Sequence, residues 1–203
     1  MDKSPIFDKT YQDYLSQIAD LDLKSIKDKL GIQVADGKVI IPLFGRSYTV
    51  SGQGISGPEG RKPHLSTCVI LCKYLIMCPS HEPQEANWVT FRDFKDAAPL
   101  INSFATTVTN PISTMFSGRP SALEIACKKI GGYRPAETFS YDVSIQFDAL
   151  PRVPLLLLFN DRDEEFPAQC SVLFEKRTEA YLDMECVAML GMSLCEYLKV
   201  EAG

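Results

Sequence analysis

The sequence has no long hydrophobic run, since no segment reaches the roughly 18 consecutive apolar residues that a membrane-spanning helix needs. Its first residues lack the basic, then apolar, then small-residue order of a secretion signal. The chain is acidic, with a net charge of −5 and a pI near 5.1. Nucleic acids and anionic membranes bind cationic faces, so we expect neither as a partner and predict a soluble cytoplasmic protein.

Motifs of nucleophilic catalysis and of phosphate binding are also missing. The sequence contains no G-x-S-x-G and no G-x-x-x-x-G-K-[S/T] pattern, and only two histidines could act as a general base. The seven cysteines are an odd number without the spacing of a disulfide framework, so we expect free thiols or ligands. These absences favour a non-catalytic role, and they leave any cofactor unidentified.

The length of the chain limits its organisation. At 203 residues, without an internal repeat or a low-complexity linker, it can form one good core. We predict a single α+β domain over residues 1–203, with a helical N-terminal arm (1–31) and an α+β core (32–203). The sheet is expected to be mainly antiparallel, with about six or seven strands and with helices packed on one side.

The C-terminal quarter has the clearest pattern. Residues 153–159 are the most apolar run and have the length of a buried strand. Residues 160–165 follow with four carboxylates, and residues 166–174 return as a second apolar segment, which predicts a hairpin with an acidic turn. A helix capped by Asp183 is expected next, and its apolar face consists of Val187, Leu190, Leu194 and Leu198.

The N-terminal half contains several local signals. Asp22 and Gly31 are expected to begin and end the second helix of the arm. Asp36-Gly37 between two apolar segments predicts a hairpin, and a third strand over residues 47–51 completes an antiparallel meander.

The middle of the chain is less regular. Residues 64–78 are expected to form a central buried helix, residues 88–91 a strand, and residues 96–118 two short helices broken at Asn110-Pro111. A further helix is expected from the capping box Ser121 to Glu124, before a strand over residues 140–147.

A glycine-rich segment, residues 51–63, follows the third strand. Three of its glycines match G-x-G-x-x-G, the pattern of dinucleotide-binding loops. In dinucleotide-binding proteins a helix begins at this pattern, but here Pro58, Gly60 and Pro63 prevent a helix. We therefore expect a flexible surface loop, whose candidate ligand-binding residues are Gly52, Gly54, Gly57 and Arg61.

Soft metal ligands are concentrated in residues 64–81, which hold both histidines and three cysteines. His64, Cys68 and Cys72 are spaced four apart and share one helical face, where neighbouring side chains can chelate a metal. Three ligands on one straight helix cannot close a tetrahedron, and cysteines in an apolar helix usually fill space. Core packing is therefore the preferred interpretation, and a metal site is the alternative.

The acidic turn is the second candidate site. Clustered carboxylates could hold a hard cation or supply a general acid or base. A solvated hairpin tip that prevents edge-to-edge association is the favoured alternative, because spacing ties no histidine or nucleophile to the turn. The residues concerned are Asp161, Asp163, Glu164 and Glu165, with Arg152 entering the same hairpin.

Two segments near the C-terminus carry a resemblance to a known family. The order L-P-R-V-P-L-L-L-L-F-x-D-x-D-E-E-F-P-A, then V-L-F-x-x-x-x-E-A-Y-L-x-x-E-x-x-A-M-L-G, resembles the signature of an uncharacterised family of bacterial and archaeal domains, found mostly in anaerobes. Some members carry an additional cysteine-rich iron–sulfur motif, which implies redox or corrinoid one-carbon metabolism. The spacing of Cys68, Cys72 and Cys78 differs from that motif.

These observations favour a non-catalytic binding or accessory protein of anaerobic redox or corrinoid metabolism. It would recognise a small-molecule cofactor or a partner protein through the glycine-rich segment and the acidic turn. The first alternative is a small-molecule enzyme that uses the acidic turn for acid–base or divalent-metal chemistry. The second alternative is a thiolate or imidazole metal-binding protein.

Overall fold

The structure, a computed structural model, describes the backbone of residues 5–202 and the side chains of residues 9–202. Over this part of the chain the fold is α+β, as predicted. The strands do not form one sheet, however. They divide between two antiparallel sheets of four strands each, with orders β1-β2-β3-β4 and β5-β8-β7-β6.

The N-terminal part contains two helices and the first sheet. The elements are α1 (Pro5–Ala19), α2 (Leu23–Leu30), β1 (Gln33–Ala35), β2 (Lys38–Leu43), β3 (Arg46–Ser51) and β4 (Gly54–Ser56). The predicted signals are confirmed: Asp22 accepts the N–H of Lys24 (3.1 Å), and Gly31 ends α2 at φ 65°. Asp36 and Gly37 have φ values of 50° and 70°, so they form the tight turn expected between β1 and β2.

The glycine-rich segment is more ordered than the sequence indicates. Residues 54–56 form β4 against β3, and residues 58–60 form a short 3₁₀ turn, so the expectation of a flexible loop is wrong there. Ile55 accounts for the difference, because its side chain is buried and its N–H donates to the hydroxyl of Tyr11 (3.1 Å).

The remaining elements build the larger half of the molecule. They are α3 (Leu65–Ile76), β5 (Trp88–Thr90), α4 (Ile101–Phe104), α5 (Asn110–Phe116), α6 (Pro120–Lys129), β6 (Val143–Leu150), β7 (Val153–Asn160), β8 (Gln169–Glu175) and α7 (Met184–Ala202). Helices α5 and α6 lie against β8 and β6, and α7 contacts α3 as well as α4, α5 and α6. Helix α3 is therefore central, as predicted, between α1 and α7.

Strand β7 is the centre of the second sheet. Its residues 153–159 are all buried, which confirms the prediction from the most apolar run of the sequence. Leu157 lies opposite Ile145 of β6 and Val172 of β8, so the hairpin of β7 and β8 is also confirmed. A strand buried on both faces fixes the position of every element that covers it.

Two helix boundaries differ from the expected ones. The helix does not break at Asn110-Pro111, because residues 105–109 form a π-helical turn that joins α4 to α5. The N–H of Asn110 donates to Ala105 C=O and closes this turn, so Pro111 enters the first turn of α5, where its missing N–H costs little. Helix α6 begins at Pro120 rather than at a Ser121 capping box.

The first turn of α7 is fixed by Asp183. Its carboxylate accepts the N–H of Cys186 (2.9 Å) and pairs with the ammonium of Lys73 (2.9 Å). Partial burial opposes the charged form, but the hydrogen bond from Cys186 and the pairing with Lys73 outweigh it, so the pKa of Asp183 lies below its usual value.

We expect Asp183→Ala to lower the free energy of unfolding by about 1–2 kcal/mol near pH 7, because the helix loses its cap. Asp183→Asn keeps a capping oxygen and should lose less. The pKa of Asp183 is lower in the folded state than in the unfolded state. The carboxylate therefore stabilises the fold at pH values above its unfolded-state pKa, and this stabilisation is lost as the pH falls through its folded-state pKa. The gap between wild type and Asp183→Asn should therefore close below about pH 4 in urea unfolding. A gap that stays the same in acid would contradict this account.

Candidate functional site

The N-terminus of α3 is left without a cap. His64 precedes the helix, and its imidazole Nδ1 lies 2.9 Å from the hydroxyl of Ser66 instead of capping the main chain. The first helical N–H to find an acceptor is that of Cys68, which donates to His64 C=O (3.1 Å). Within the described part of the chain, the N–H groups of residues 65–67 have no partner, so they can donate to a ligand.

A cavity of about 260 Å³ opens at this helix end. One wall is the start of α3 and the other is a face of α7. The lining residues are His64, Ser66, Thr67, Met189, Met192, Ser193, Glu196 and Tyr197. The two helices contact each other directly, so the position of the cavity is fixed by the core and not by a loop.

Two hydroxyl groups on mostly buried residues line this cavity. Thr67 is only 6% exposed, and its hydroxyl makes no hydrogen bond to any described residue. Ser193 is 9% exposed and donates to Met189 C=O (2.9 Å), which leaves its oxygen free to accept. The hydroxyl oxygen of Thr67 is not among the fully buried atoms without a partner, so it is open to a ligand or a water in the cavity.

The rim of the cavity carries charge and aromatic surface. The guanidinium of Arg46 lies 4.3 Å from the ring centroid of Tyr197, a cation–π contact. The hydroxyls of Tyr197 and Tyr48 are 3.4 Å apart, and burial, followed by this hydrogen bond, raises the pKa of Tyr48. Glu196 adds a negative charge, so the rim is of mixed sign.

The glycine-rich segment borders this site without lining it. A side chain at Gly57 would meet the ring of Tyr48 at 3.2 Å, so glycine allows the close packing of the segment on the rim. Gly52 packs against Ala19 of α1, and Gly54 adopts a φ of 147° at the start of β4. Arg61 pairs with Glu59 on the surface (2.8 Å).

Arg152 lies at the opposite end of β7 from the acidic turn. Its guanidinium donates to the C=O groups of Asp28 (2.8 Å) and Lys29 (3.0 Å) and pairs with Glu82 (3.5 Å). The structure thus uses this arginine to hold the last turn of α2, and does not bring it together with the turn carboxylates.

The acidic turn is held by its own carboxylates. Asp161 accepts the N–H groups of Gly118 (2.6 Å) and Arg162 (2.8 Å). Asp163 accepts those of Glu165 (2.8 Å) and Phe166 (2.7 Å), and these hydrogen bonds lower the pKa of Asp163. The carboxylates of Glu164 and Glu165 are exposed to solvent. A carboxylate with a lowered pKa is a weak proton donor near neutral pH.

The predicted metal ligands do not converge. His64 is exposed, whereas Cys68 and Cys72 are buried in the core. Burial raises the pKa of Cys68, and raises that of Cys72 to about 12, so both remain thiols. Among the described residues, no group of three or more His, Cys, Asp and Glu side chains could hold a metal ion.

A larger cavity, of about 460 Å³, lies at the other end of α7. Lys95, Asp96, Glu179 and Glu185 line it with exposed charges. Asp183 also lines it, but its carboxylate is already used by Cys186 and Lys73. Its other charged groups lie on exposed side chains, whereas Thr67 and Ser193 of the α3 cavity lie on mostly buried ones.

Sequence reasoning selected His64 but missed Thr67, Ser193 and Tyr197. A weak signal was present, since Thr67 and Ser193 are polar residues at buried positions of two otherwise apolar helices. Their meeting depends on the packing of α3 on α7 and could not be read from either helix alone.

The geometry defines an α+β protein with a small polar cavity at the start of its central helix. Residues 22–197 match a family model described as Domain of unknown function (DUF3786), and the chain belongs to that family. This confirms the resemblance to an uncharacterised family. No curated protein and no solved structure matches the chain. None of the described helices is long and apolar enough to cross a membrane.

We expect Arg152→Ala to lower the free energy of unfolding by about 1–3 kcal/mol, because two C=O groups lose a charged donor. Arg134 provides a matched control, since its side chain is 80% exposed and has only a 4.0 Å contact with Glu124. Arg134→Ala should change stability by less than about 0.5 kcal/mol. Equal effects of the two substitutions in urea unfolding would refute the role assigned to Arg152.

Proposed function

We propose that this protein is a non-catalytic binding protein that holds the anionic group of a small molecule at the N-terminus of α3. The observation that carries the proposal is the hydroxyl of Thr67, which lines the cavity beside free N–H groups and has no hydrogen-bond partner among the described residues. A bound acceptor would gain a hydrogen bond from this hydroxyl, worth about 0.5–1.5 kcal/mol net. The positive end of the helix dipole favours an acceptor with negative charge.

The size of the cavity limits what it can take. Drug-sized ligands usually occupy about 300–1,000 Å³, and this cavity has about 260 Å³. A phosphate or carboxylate group fits it, and the rest of the ligand would lie outside over Met192 and Tyr197. Met192 is 42% exposed, and a flexible thioether adapts to varied apolar surfaces. Arg46 on the rim would add attraction for an anion.

The chemistry of the neighbouring groups supports binding over catalysis. Ser66 and His64 are within hydrogen-bonding distance, as a nucleophile and a base would be. No carboxylate hydrogen-bonds to His64 among the described residues, so the imidazole lacks the orienting third group. Cys68, the nearest thiol of α3, is kept protonated by burial.

The biological setting is part of the same proposal. An accessory role in anaerobic redox or corrinoid metabolism rests on the resemblance of the C-terminal segments described above. The enzyme alternative at the acidic turn has less support, because Asp161 and Asp163 already accept main-chain N–H groups.

Inorganic phosphate can test the site by NMR. We expect a saturable shift of the N–H resonances of residues 65–67 and weaker binding, by about five- to thirtyfold, in Thr67→Val, which deletes the hydroxyl at nearly constant shape. Glu196→Gln should tighten binding, because a negative charge leaves the rim.

Thr178→Val is the matched control, since Thr178 is a buried threonine whose hydroxyl likewise makes no hydrogen bond to any described residue, and it does not line this cavity. It should bind phosphate like the wild type. Small carboxylates serve as the second probe. The proposal fails if neither anion shifts these resonances, or if Thr67→Val binds as tightly as the control.

A further inference from the structure

The outer edge of the second sheet is open along half of β8. Strand β5 pairs with β8 only as far as Thr90, which lies opposite Leu173. It ends there because the N–H and hydroxyl of Thr90 both donate to the carboxylate of Asp93 (2.8 and 2.6 Å), and the chain turns away. Residues 169–172 therefore have no described strand beside them on this side.

The main chain of Cys170 faces this open edge. On the same side of β8, the N–H of Lys176 donates to Asn87 C=O (2.9 Å). Main-chain groups of an antiparallel strand alternate between its two sides, so those of even-numbered residues point to the edge. The N–H and C=O of Cys170 have no partner there among the described residues. The thiol of Cys170 points inward, where burial raises its pKa. The residue is nevertheless partly exposed, because its main chain lies at the edge.

Residues 169–172 carry none of the charged side chains, prolines or bulges with which native sheets guard their edges. Residues 91–92 and helical residues of the 101–109 segment lie beside them, but these leave a cavity of about 280 Å³ against the strand. The sequence at 169–172 is Gln-Cys-Ser-Val, and its register with β7 is continuous. An unguarded edge of this kind can accept another strand.

The two ends of the edge carry opposite charge. At the β5 end lies Arg92, which is exposed and lines a cavity of about 280 Å³. At the other end the acidic turn precedes β8, with exposed carboxylates on Glu164 and Glu165. The cavity has an apolar wall that includes Phe91, Phe104 and Val172, and the acidic turn presents Phe166, which is 59% exposed.

We propose that the open edge of β8 pairs antiparallel with the same edge of a second copy of this chain, so that two sheets join across a twofold axis. An antiparallel pair sets the start of one edge beside the end of the other. The acidic turn of each copy then meets Arg92 of the other, and Phe166 approaches the mouth of the apolar cavity. The contact is self-complementary, as a twofold interface requires.

A second copy fits this edge better than an unrelated peptide does. The edge carries both halves of each charge pair, so two antiparallel copies can form that pair twice. The contact is small, so we expect a dimer that dissociates on dilution.

Analytical ultracentrifugation of the full chain tests the proposal. Near about 100 µM we expect twice the chain mass of 22.6 kDa, and loss of the dimer on dilution. Arg92→Glu should weaken the dimer by about tenfold or more, and Glu164→Arg with Glu165→Arg should do the same. Combining all three substitutions restores opposite charges and should recover most of the wild-type affinity.

Lys38→Glu, a charge reversal on the exposed part of β2 in the other sheet, is the control and should leave the dimer unchanged. Circular dichroism confirms that each variant is folded. The N–H of Cys170 should exchange with solvent more slowly as the concentration rises. If the protein stays monomeric at all concentrations and the Cys170 amide exchanges quickly, the edge does not pair with a second copy and the proposal is overturned. If neither charge reversal changes the affinity of the dimer, the interface lies elsewhere and the proposal is also overturned.

Discussion

The burial of β7 on both faces is the constraint on which the structure depends. Leu155, Leu157 and Phe159 face the main core, and Leu156 and Leu158 are buried on the other side. Because no side of this strand can meet water, β6 and β8 must flank it and helices must close over its inner face. Helix α7 lies over those helices and against α3, so the packing that covers β7 also fixes the two walls of the α3 cavity.

The elements whose signals are local could be predicted from the sequence. Asp22, Gly31, the Asp36-Gly37 turn and Asp183 each act within a few residues, and the structure has all four in their expected roles. What depends on distant partners could not be predicted. The division of the strands into two sheets and the pairing of β5 with β8 join segments far apart in the chain. The π turn was not predicted either; it packs against β8 and α7, which are distant in the sequence.

The candidate site follows the same rule. Charge and ligand type directed attention to Arg152, the acidic turn and the cysteines of α3. In the structure Arg152 serves α2, the acidic turn closes on itself, and the thiols are buried. The groups that remain open are less conspicuous in sequence: a threonine in the first turn of α3 and a serine of α7. The sequence shows which residues are charged or can bind metals. The candidate site, however, consists of hydroxyl and main-chain N–H groups with hydrogen-bonding capacity that no described residue uses.

Main-chain hydrogen bonding gives a common basis for both proposals. Helix α2 ends with Gly31 and Arg152, and α7 begins with Asp183, so the ends of these helices are satisfied within the fold. Helix α3 begins without such a cap because His64 bonds to Ser66, and β8 loses its neighbour because Thr90 bonds to Asp93. In each case a local hydrogen bond of a side chain accompanies main-chain groups that have no partner among the described residues. An acceptor at the start of α3, or a strand beside β8, would pair these groups, and this is the physical basis of both proposals.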